Sequence, residues 1–133
     1  MGGGAARGDT RRMSPTVLVV DDDPAFRRVV VRLLTLRGLD VVADVADGEA
    51  ALAAARRHRP DGVLLDVNLP DHSGICVSRT LTAQAHAPTV VLTSTDSVGP
   101  GDGALAECGA RAFVAKDRLP GVDLRGLLSP AGT

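Results

Sequence analysis

The sequence predicts an α/β fold in which a doubly wound parallel β-sheet carries helices on both faces. Short apolar runs alternate with longer segments of helical period, as in strands joined by crossover helices. The runs are continuously apolar, which is expected of strands that are buried on both faces. We predict five strands, at residues 17–20, 41–43, 63–65, 90–92 and 112–115.

The connection after the first strand is the clearest predicted helix. Asp23 suits its N-cap, Pro24 its first turn, and Gly38 the left-handed position after its end. Apolar residues at helical spacing mark its core-facing side: Phe26, Val29, Val30, Leu33 and Leu34. Its arginines are predicted to face outward: Arg27, Arg28 and Arg32.

The later connections predict four further helices of unequal quality. An Ala-rich helix over residues 48–59 is closed by Pro60, and another spans about residues 74–85. Glycines and a proline in residues 99–103 disfavour helix, so we expect only a short fourth helix at 104–108, mobile or partly unwound. The fifth helix is predicted over 120–128.

Composition and length fit one globular domain with short loose ends. Hydrophobic residues make up 44% of the 133 residues and charged residues 23%, as in ordinary soluble proteins. We predict a flexible tail at residues 1–15, a folded domain at 16–128, and a loose end or linker start at 129–133. No apolar run approaches the length of a membrane span, which predicts a cytoplasmic location without membrane contact.

The charge balance and the isolated cysteines and histidines exclude several functions. With 15 Lys and Arg against 16 Asp and Glu, the domain has no global field that would bind nucleic acid directly. Cys76 and Cys108 are expected to be reduced, partly buried thiols. The histidines lack mutual spacing for a metal site or a catalytic relay and are expected to be exposed: His58, His72 and His86.

Three of the five predicted strands stop at a residue that can bind a phosphoryl group or a metal, and a fourth stops at a lysine. The first strand ends at Asp21, Asp22 and Asp23, the third at Asp66, the fourth at Thr93 and the fifth at Lys116. In an open α/β sheet, ligands bind outside the carboxyl ends of the strands, where the winding direction reverses. We therefore expect these side chains to converge, with Asp23 serving mainly as the helix cap.

Converging carboxylates raise one another's pKa, and a divalent cation removes that cost. Oxygen ligands without nearby Cys or His favour Mg²⁺ over zinc. A carboxylate can also act as a nucleophile and form an aspartyl phosphate, while a lysine, a hydroxyl and Mg²⁺ stabilise the phosphoryl oxygens. The set of residues therefore suits Mg²⁺-dependent phosphoryl transfer.

Over residues 16–128 the chain resembles the CheY-like receiver domains of two-component response regulators. The motifs that carry the resemblance are Val-Val-Asp21-Asp22-Asp23-Pro24, Leu-Leu-Asp66-Val-Asn68-Leu-Pro70 followed by Gly74, Val-Leu-Thr93-Ser94, and Phe113-Val-Ala-Lys116. The resemblance implies a flavodoxin-like (βα)₅ fold with strand order 2-1-3-4-5. It also implies that Asp66 is the phosphoacceptor.

The same resemblance implies roles for the other motif residues. Asp21, Asp22 and Asp66, with the backbone carbonyl of Asn68, would hold Mg²⁺. Lys116 would pair with the phosphoryl group, and Thr93 would move to bind it. Phe113 would be the switch aromatic that turns inward as Thr93 moves.

The implied function is a signalling switch in a phosphorelay, with autocatalytic phosphotransfer and dephosphorylation only, and not a turnover enzyme. The donor would be a sensor histidine kinase or a histidine phosphotransfer protein. The responding face would be built from the fourth helix, fifth strand and fifth helix, through which such domains form homodimers. The glycine-rich segment at 99–103 weighs against that dimer.

Asp117, where many receivers have proline, resembles the subclass fused to a C-terminal DNA-binding output domain. We find no such domain in these residues, so a stand-alone receiver and a fragment of a longer regulator both fit. Two other functions compete: a phosphorylation-independent adaptor and an aspartyl-phosphate hydrolase. The adaptor usually lacks part of the acidic pair, acceptor or lysine, which are all present; the hydrolase pattern has a second Asp where this chain has Asn68.

Overall fold

The computed structural model describes residues 14–130, which form a five-stranded parallel sheet flanked by helices. The strands are β1 (Thr16–Val20), β2 (Asp40–Val45), β3 (Gly62–Asp66), β4 (Thr89–Ser94) and β5 (Ala112–Ala115). The helices are α1 (Pro24–Leu36), α2 (Gly48–His58), α3 (Gly74–Thr82), α4 (Asp102–Cys108) and α5 (Leu124–Leu128), with a 3₁₀ helix at Lys116–Gly121. The ends predicted to be loose lie mostly outside the described residues, at 1–13 and 131–133.

The strand order β2-β1-β3-β4-β5 confirms the predicted doubly wound topology. β1 and β3 are neighbours, with Val20 paired to Leu65, so the residues that follow them lie side by side. One strand further along, Asp66 is paired in register with Thr93. The reversal of winding between β1 and β3 opens a crevice at this edge of the sheet.

Two apolar clusters, one on each face of the sheet, form the core. One cluster joins the sheet to α1 and α5 through residues such as Val19, Leu34 and Leu124. The other joins it to α2, α3 and α4 through residues such as Leu18 and Leu81. Successive strand residues point to opposite faces, and both faces are covered, which explains why the strand sequences are continuously apolar.

Helix α1 has the predicted caps but a narrower buried face than predicted. The Asp23 carboxylate accepts hydrogen bonds from first-turn N–H groups, and Gly38 has a left-handed φ of 86°. Val30 and Leu34 are buried, but Val29 is 66% exposed, so its predicted place in the core is wrong. Consecutive helical residues are separated by about 100°, which turns Val29 away from the line of Val30 and Leu34.

Four helix ends differ from the predicted ones, and one of them is the start of α4, which lies at Asp102 and not at residue 104. α2 ends at His58, because Arg59 adopts a left-handed φ of 47° before Pro60. α3 ends at Thr82 and not near residue 85. Just after this end, the N–H of Gln84 donates to the carbonyl of Leu81. α5 begins only at Leu124, because extended Val122 separates it from the 3₁₀ helix and the carboxylate of Asp123 caps it.

Helix α4 is short, as predicted, and its two ends are held differently. No side chain caps its beginning at Gly101. At its end, the hydroxyls of Ser78 and Thr82 both donate to the carbonyl of Cys108, at 2.9 and 3.0 Å. The helix is thus fastened to α3 at its C-terminus, and its predicted mobility remains a prediction.

Both cysteines lie in the part of the chain that the structure describes. Cys76 and Cys108 are both free; Cys108 is buried, but Cys76 is exposed on α3, contrary to the predicted partial burial.

His58 and His72 are exposed as predicted, whereas His86 is half-buried and contacts the carbonyl of Pro60. Between residues 14 and 130, every helix is too short or too polar to cross a bilayer.

Candidate functional site

The carboxyl edge of the sheet brings together the acidic and basic residues selected from the sequence. Asp21 follows β1, Asp66 ends β3, and Lys116 follows β5. The Lys116 Nζ atom lies 2.7 Å from Asp21 Oδ2 and 3.0 Å from Asp66 Oδ2. One ammonium therefore bridges two carboxylates that are distant in sequence.

The two carboxylates are held in the same way by local backbone. Asp21 Oδ1 accepts a hydrogen bond from the N–H of Asp23, and Asp66 Oδ1 accepts one from the N–H of Asn68, both at 2.9 Å. Each acid thus uses one oxygen to fix its own turn. The other oxygen of each is directed to Lys116.

Burial and charge oppose each other in this cluster. Burial raises the pKa of Asp21 above its ordinary value, although the close Lys116 ammonium lowers it in part. Burial by itself lowers the pKa of Lys116, but its ion pairs with Asp21 and Asp66 outweigh that effect and raise it. The pocket therefore holds carboxylates that a single ammonium does not fully compensate.

Asp22 adds a third carboxylate and completes an oxygen-only donor set. One oxygen from each of Asp21, Asp22 and Asp66 lies within 4.8 Å of the others. Asp22 is exposed while the other two are buried, so the set opens to solvent on one side. A hard divalent cation such as Mg²⁺ prefers such donors, and the residues present fit it.

Thr93 supplies a buried hydroxyl without a partner. Its side chain is 1% exposed, and its Oγ1 atom has no hydrogen-bond partner within the described part of the chain. A buried polar group left unpaired is costly. Its register with Asp66 places this hydroxyl on the strand adjacent to the proposed acceptor, where a ligand could satisfy it.

Phe113 lies on β5, paired in register with Leu92, and its ring is half-buried. The backbone of Gly99, in the β4–α4 loop, lies against this ring so closely that a Cβ atom at Gly99 would overlap it. The ring also borders a surface cavity of about 420 Å³ that includes Arg118. The aromatic side chain and the loop are therefore in direct contact.

Two residues of α1 reach the site, and sequence analysis did not select them for it. Lys116 Nζ lies 4.4 Å from the centroid of the Phe26 ring. Arg27, predicted to face outward, donates to the backbone carbonyl of Asp21 and pairs with Asp44 at 3.1 Å. Their only sequence signal is closeness to the acidic run.

Gly74 allows the loop after β3 to return to the strand. Its N–H donates to the carbonyl of Val67 at 2.8 Å, and a Cβ atom would overlap the backbone of Asp66. An isolated antiparallel bridge joins Asn68 to Ser73 in the same loop. This close approach explains why the motif needs glycine here and how the Asn68 backbone stays beside the acidic cluster.

A second group of ionisable residues lies on the surface between α2 and the β3–α3 loop. His72 Nε2 lies 2.9 Å from Glu49 Oε2, and this hydrogen bond raises the pKa of His72. Backbone N–H groups of Gly48 and Glu49 donate to Asp71 and lower its pKa. Sequence spacing gave no indication of this group, because its members come from different elements.

Comparisons with known proteins agree with this fold and site. The signal receiver domain of the putative response regulator NarL from Mycobacterium tuberculosis superposes with a TM-score of 0.74 at 30% identity, covering 86% of this chain and 94% of that one. The chemotaxis response regulator CheY4 of Vibrio cholerae gives a TM-score of 0.75 at 28% identity, covering 86% and 96%. The chain is thus similar in extent to isolated receiver domains.

A longer relative is also similar to this chain over part of its own length. The DNA-binding response regulator MtrA of Mycolicibacterium smegmatis is 43% identical over 109 residues, which are 81% of this chain and 46% of that protein. This chain thus spans about half the length of that curated relative. Residues 17–122 match the family model of the response regulator receiver domain, and the chain belongs to that family. It is a signalling switch of phosphorylation-based two-component systems.

Proposed function

We propose that Asp66 accepts a phosphoryl group in a Mg²⁺-dependent reaction and that this modification switches a partner-binding surface. The proposal is carried by the position of the Asp66 carboxylate, 3.0 Å from the Lys116 ammonium and in register with Thr93. The Thr93 hydroxyl is buried and has no partner within residues 14–130. An ammonium and a free hydroxyl are the groups that would bind the oxygens of a phosphoryl group on Asp66.

The transfer itself asks little of the protein beyond position. An oxygen of Asp66 forms a bond to phosphorus while the bond from phosphorus to the donor's leaving atom breaks, and the donor departs with that electron pair. The carboxylate nucleophile carries no proton that another side chain must remove. Lys116 then pairs with the added negative charge.

The metal site would be formed by Asp21, Asp22 and Asp66, with the backbone carbonyl of Asn68 as a further ligand. Mg²⁺ bound there would offset negative charge on the transferring phosphoryl group. The clustering of three carboxylate oxygens within 4.8 Å supports this assignment. The cluster has three carboxylates and one ammonium, so a bound cation would balance the remaining negative charge.

Family membership supports our proposals for the donor and the output. We assign the donor to a phosphohistidine on a sensor histidine kinase or a histidine phosphotransfer protein, and the exchange to the cytoplasm. The net charge of -1 gives no basis for direct nucleic-acid binding by this domain. DNA binding would belong to an output domain, since the relative of about twice the length is named a DNA-binding regulator.

Thr93 and Phe113 would transmit the modification. The hydroxyl of Thr93 would move to the phosphoryl oxygen, and the Phe113 ring would turn inward behind it. Any homodimer through α4, β5 and α5 would depend on this rearrangement. In Lys116→Ala, amide exchange around Thr93 and Phe113 is expected to respond less to phosphorylation, while labelling of Asp66 falls by a smaller factor.

The test is incubation with acetyl phosphate and Mg²⁺, followed by intact mass. Wild type is expected to gain one phosphoryl group, and the gain should vanish in Asp66→Asn and in excess chelator. Asp96→Asn, at an exposed aspartate, is the matched control and should still be labelled. A label that persists in Asp66→Asn would move the acceptor elsewhere. An unlabelled wild type would favour the adaptor, and Asp66-dependent turnover of a phosphate ester would favour the hydrolase.

A further inference from the structure

We propose that Phe26 is a positioning residue for phosphoryl transfer, which holds the Lys116 ammonium beside Asp66 through a cation–π contact. The proposal rests on the roles proposed above for Asp66 and Lys116. It assigns to α1 a part in the site that the acidic and basic motifs alone do not contain.

The contact has the geometry of a cation–π interaction. Lys116 Nζ lies 4.4 Å from the centroid of the Phe26 ring, inside the limit of about 6 Å for this attraction. Only 13% of the Lys116 side chain is exposed. Removal from water strengthens the attraction between an ammonium and a ring face.

The surroundings of Phe26 fix the ring in place. Asp23 caps α1 and accepts from the N–H of Phe26 itself. The next residue, Arg27, ties the same helical turn to the backbone of Asp21 and to Asp44 on β2. The ring is half-buried and packs against the core cluster between the sheet and α1. The first turn is therefore held by three hydrogen bonds, and the ring itself is held by its packing against the core.

The lysine needs a support that does not depend on the carboxylates. In this structure Asp21 and Asp66 each use one oxygen to hold Lys116. Both acids also belong to the proposed metal and acceptor sites, so their carboxylates would serve the metal or the phosphoryl group during transfer. The Phe26 ring offers no oxygen to a metal or phosphoryl group and can keep the ammonium in the pocket while its ion pairs exchange.

The experiment compares Phe26→Leu, which keeps an apolar side chain without a π face, with Phe26→Tyr, which keeps the ring. In metal-free, unphosphorylated protein, the Lys116 ε-methylene protons are expected to show an upfield ring-current shift that Phe26→Leu abolishes and Phe26→Tyr retains. Phe26 and Phe113 are the only Phe, Tyr or Trp residues in the sequence. Phe113→Leu, used for this shift alone, should leave it in place.

The second measurement is the rate of Asp66 labelling by acetyl phosphate and Mg²⁺. We expect a decrease of about 2- to 30-fold in Phe26→Leu and recovery in Phe26→Tyr, from the usual strength of a cation–π contact. An unchanged Lys116 shift in Phe26→Leu would overturn the contact. A lost shift with an unchanged rate, or an equal loss of rate in both variants, would overturn the positioning role.

These outcomes separate the present proposal from the proposed function. If wild type takes up no phosphoryl group, the acceptor role of Asp66 fails. The Lys116 shift, measured in the metal-free protein, still supports the contact with Phe26 if it is present and overturns it if it is absent.

Discussion

The Lys116 ammonium is closer to Asp21 than to Asp66, at 2.7 Å against 3.0 Å. Asp21 is also the more deeply buried of these carboxylates, at 1% exposure against 4%. The lysine thus serves as the counter-charge of the acidic cluster as well as a neighbour of the acceptor. A cation bound by the same acids would take over part of that task.

Replacing Lys116 should therefore destabilise the domain in a way that Mg²⁺ partly reverses. Lys116→Ala leaves two buried carboxylates uncompensated, and we expect a loss of about 1–3 kcal/mol in the free energy of unfolding at neutral pH. Urea unfolding followed by circular dichroism, with and without Mg²⁺, measures both effects. Arg118→Ala, at an exposed cation of the same 3₁₀ helix, is the control and should change little. Equal stability of Lys116→Ala and wild type without metal would contradict this account.

Two glycines of the same region should respond to alanine in opposite directions. Gly99→Ala places a methyl group against the Phe113 ring, and the strain should cost about 1–3 kcal/mol and displace the ring signals in NMR spectra. Gly103→Ala, inside α4 with nothing near the added methyl group, should gain about 0.5–1 kcal/mol from helix propensity. A Gly99→Ala variant as stable as wild type, with unchanged ring signals, would show that the loop and ring are not in contact.

The attachment of α4 to α3 predicts an effect at a distance from the acidic site. Ser78→Ala removes one of the two hydroxyl hydrogen bonds to the carbonyl of Cys108 and should cost about 1 kcal/mol. Hydrogen exchange should accelerate at the end of α4. The control is Thr80→Ala, whose hydroxyl bonds within α3 only. Faster exchange confined to the beginning of α4 would argue against Cys108 as the anchor point.

The surface pair of His72 and Glu49 predicts a measurable titration. The hydrogen bond that His72 donates to the Glu49 carboxylate raises the pKa of His72 above its ordinary value of 6.5, with smaller contributions from Asp71 and Asp47. A raised folded-state pKa means that the pair stabilises the fold below that ordinary value, and this contribution is lost as the pH rises through the folded-state pKa. In an NMR titration, Glu49→Gln should lower the pKa of His72. Glu107→Gln, at the only other glutamate in the sequence, should leave it unchanged.

Much of the fold and site could be predicted because local sequence encodes it. Each strand except β2 is an apolar run that ends at or just before a polar residue, and the carboxyl ends of parallel strands meet at one edge. Asp21, Asp66, Thr93 and Lys116 could therefore be placed together without coordinates. The cap at Asp23 and the left-handed conformation of Gly38 could also be predicted from local sequence, since each depends only on the neighbouring backbone.

The errors occurred where local signals conflicted. The predicted fifth helix included Pro120 and Val122. In the structure Asp123 is the N-cap, so α5 begins only at Leu124. Val29 is spaced from Phe26 as residues on one face of a helix are, but the buried face of α1 contains its neighbour Val30 instead. In both cases an apolar pattern was compatible with more than one helix start or rotation.

By itself, the sequence determined the order of the elements, the strand ends and the identity of the acidic, hydroxyl and basic residues at the carboxyl edge. Tertiary structure alone decided that Phe26 covers Lys116, that Arg27 turns inward to Asp21, and that His72 reaches Glu49. The physical reason is that strand ends are fixed by hydrogen-bonded register along the sheet. Contacts between a helix and its neighbours depend instead on how the helix is rotated and seated, which is settled only when the whole core packs.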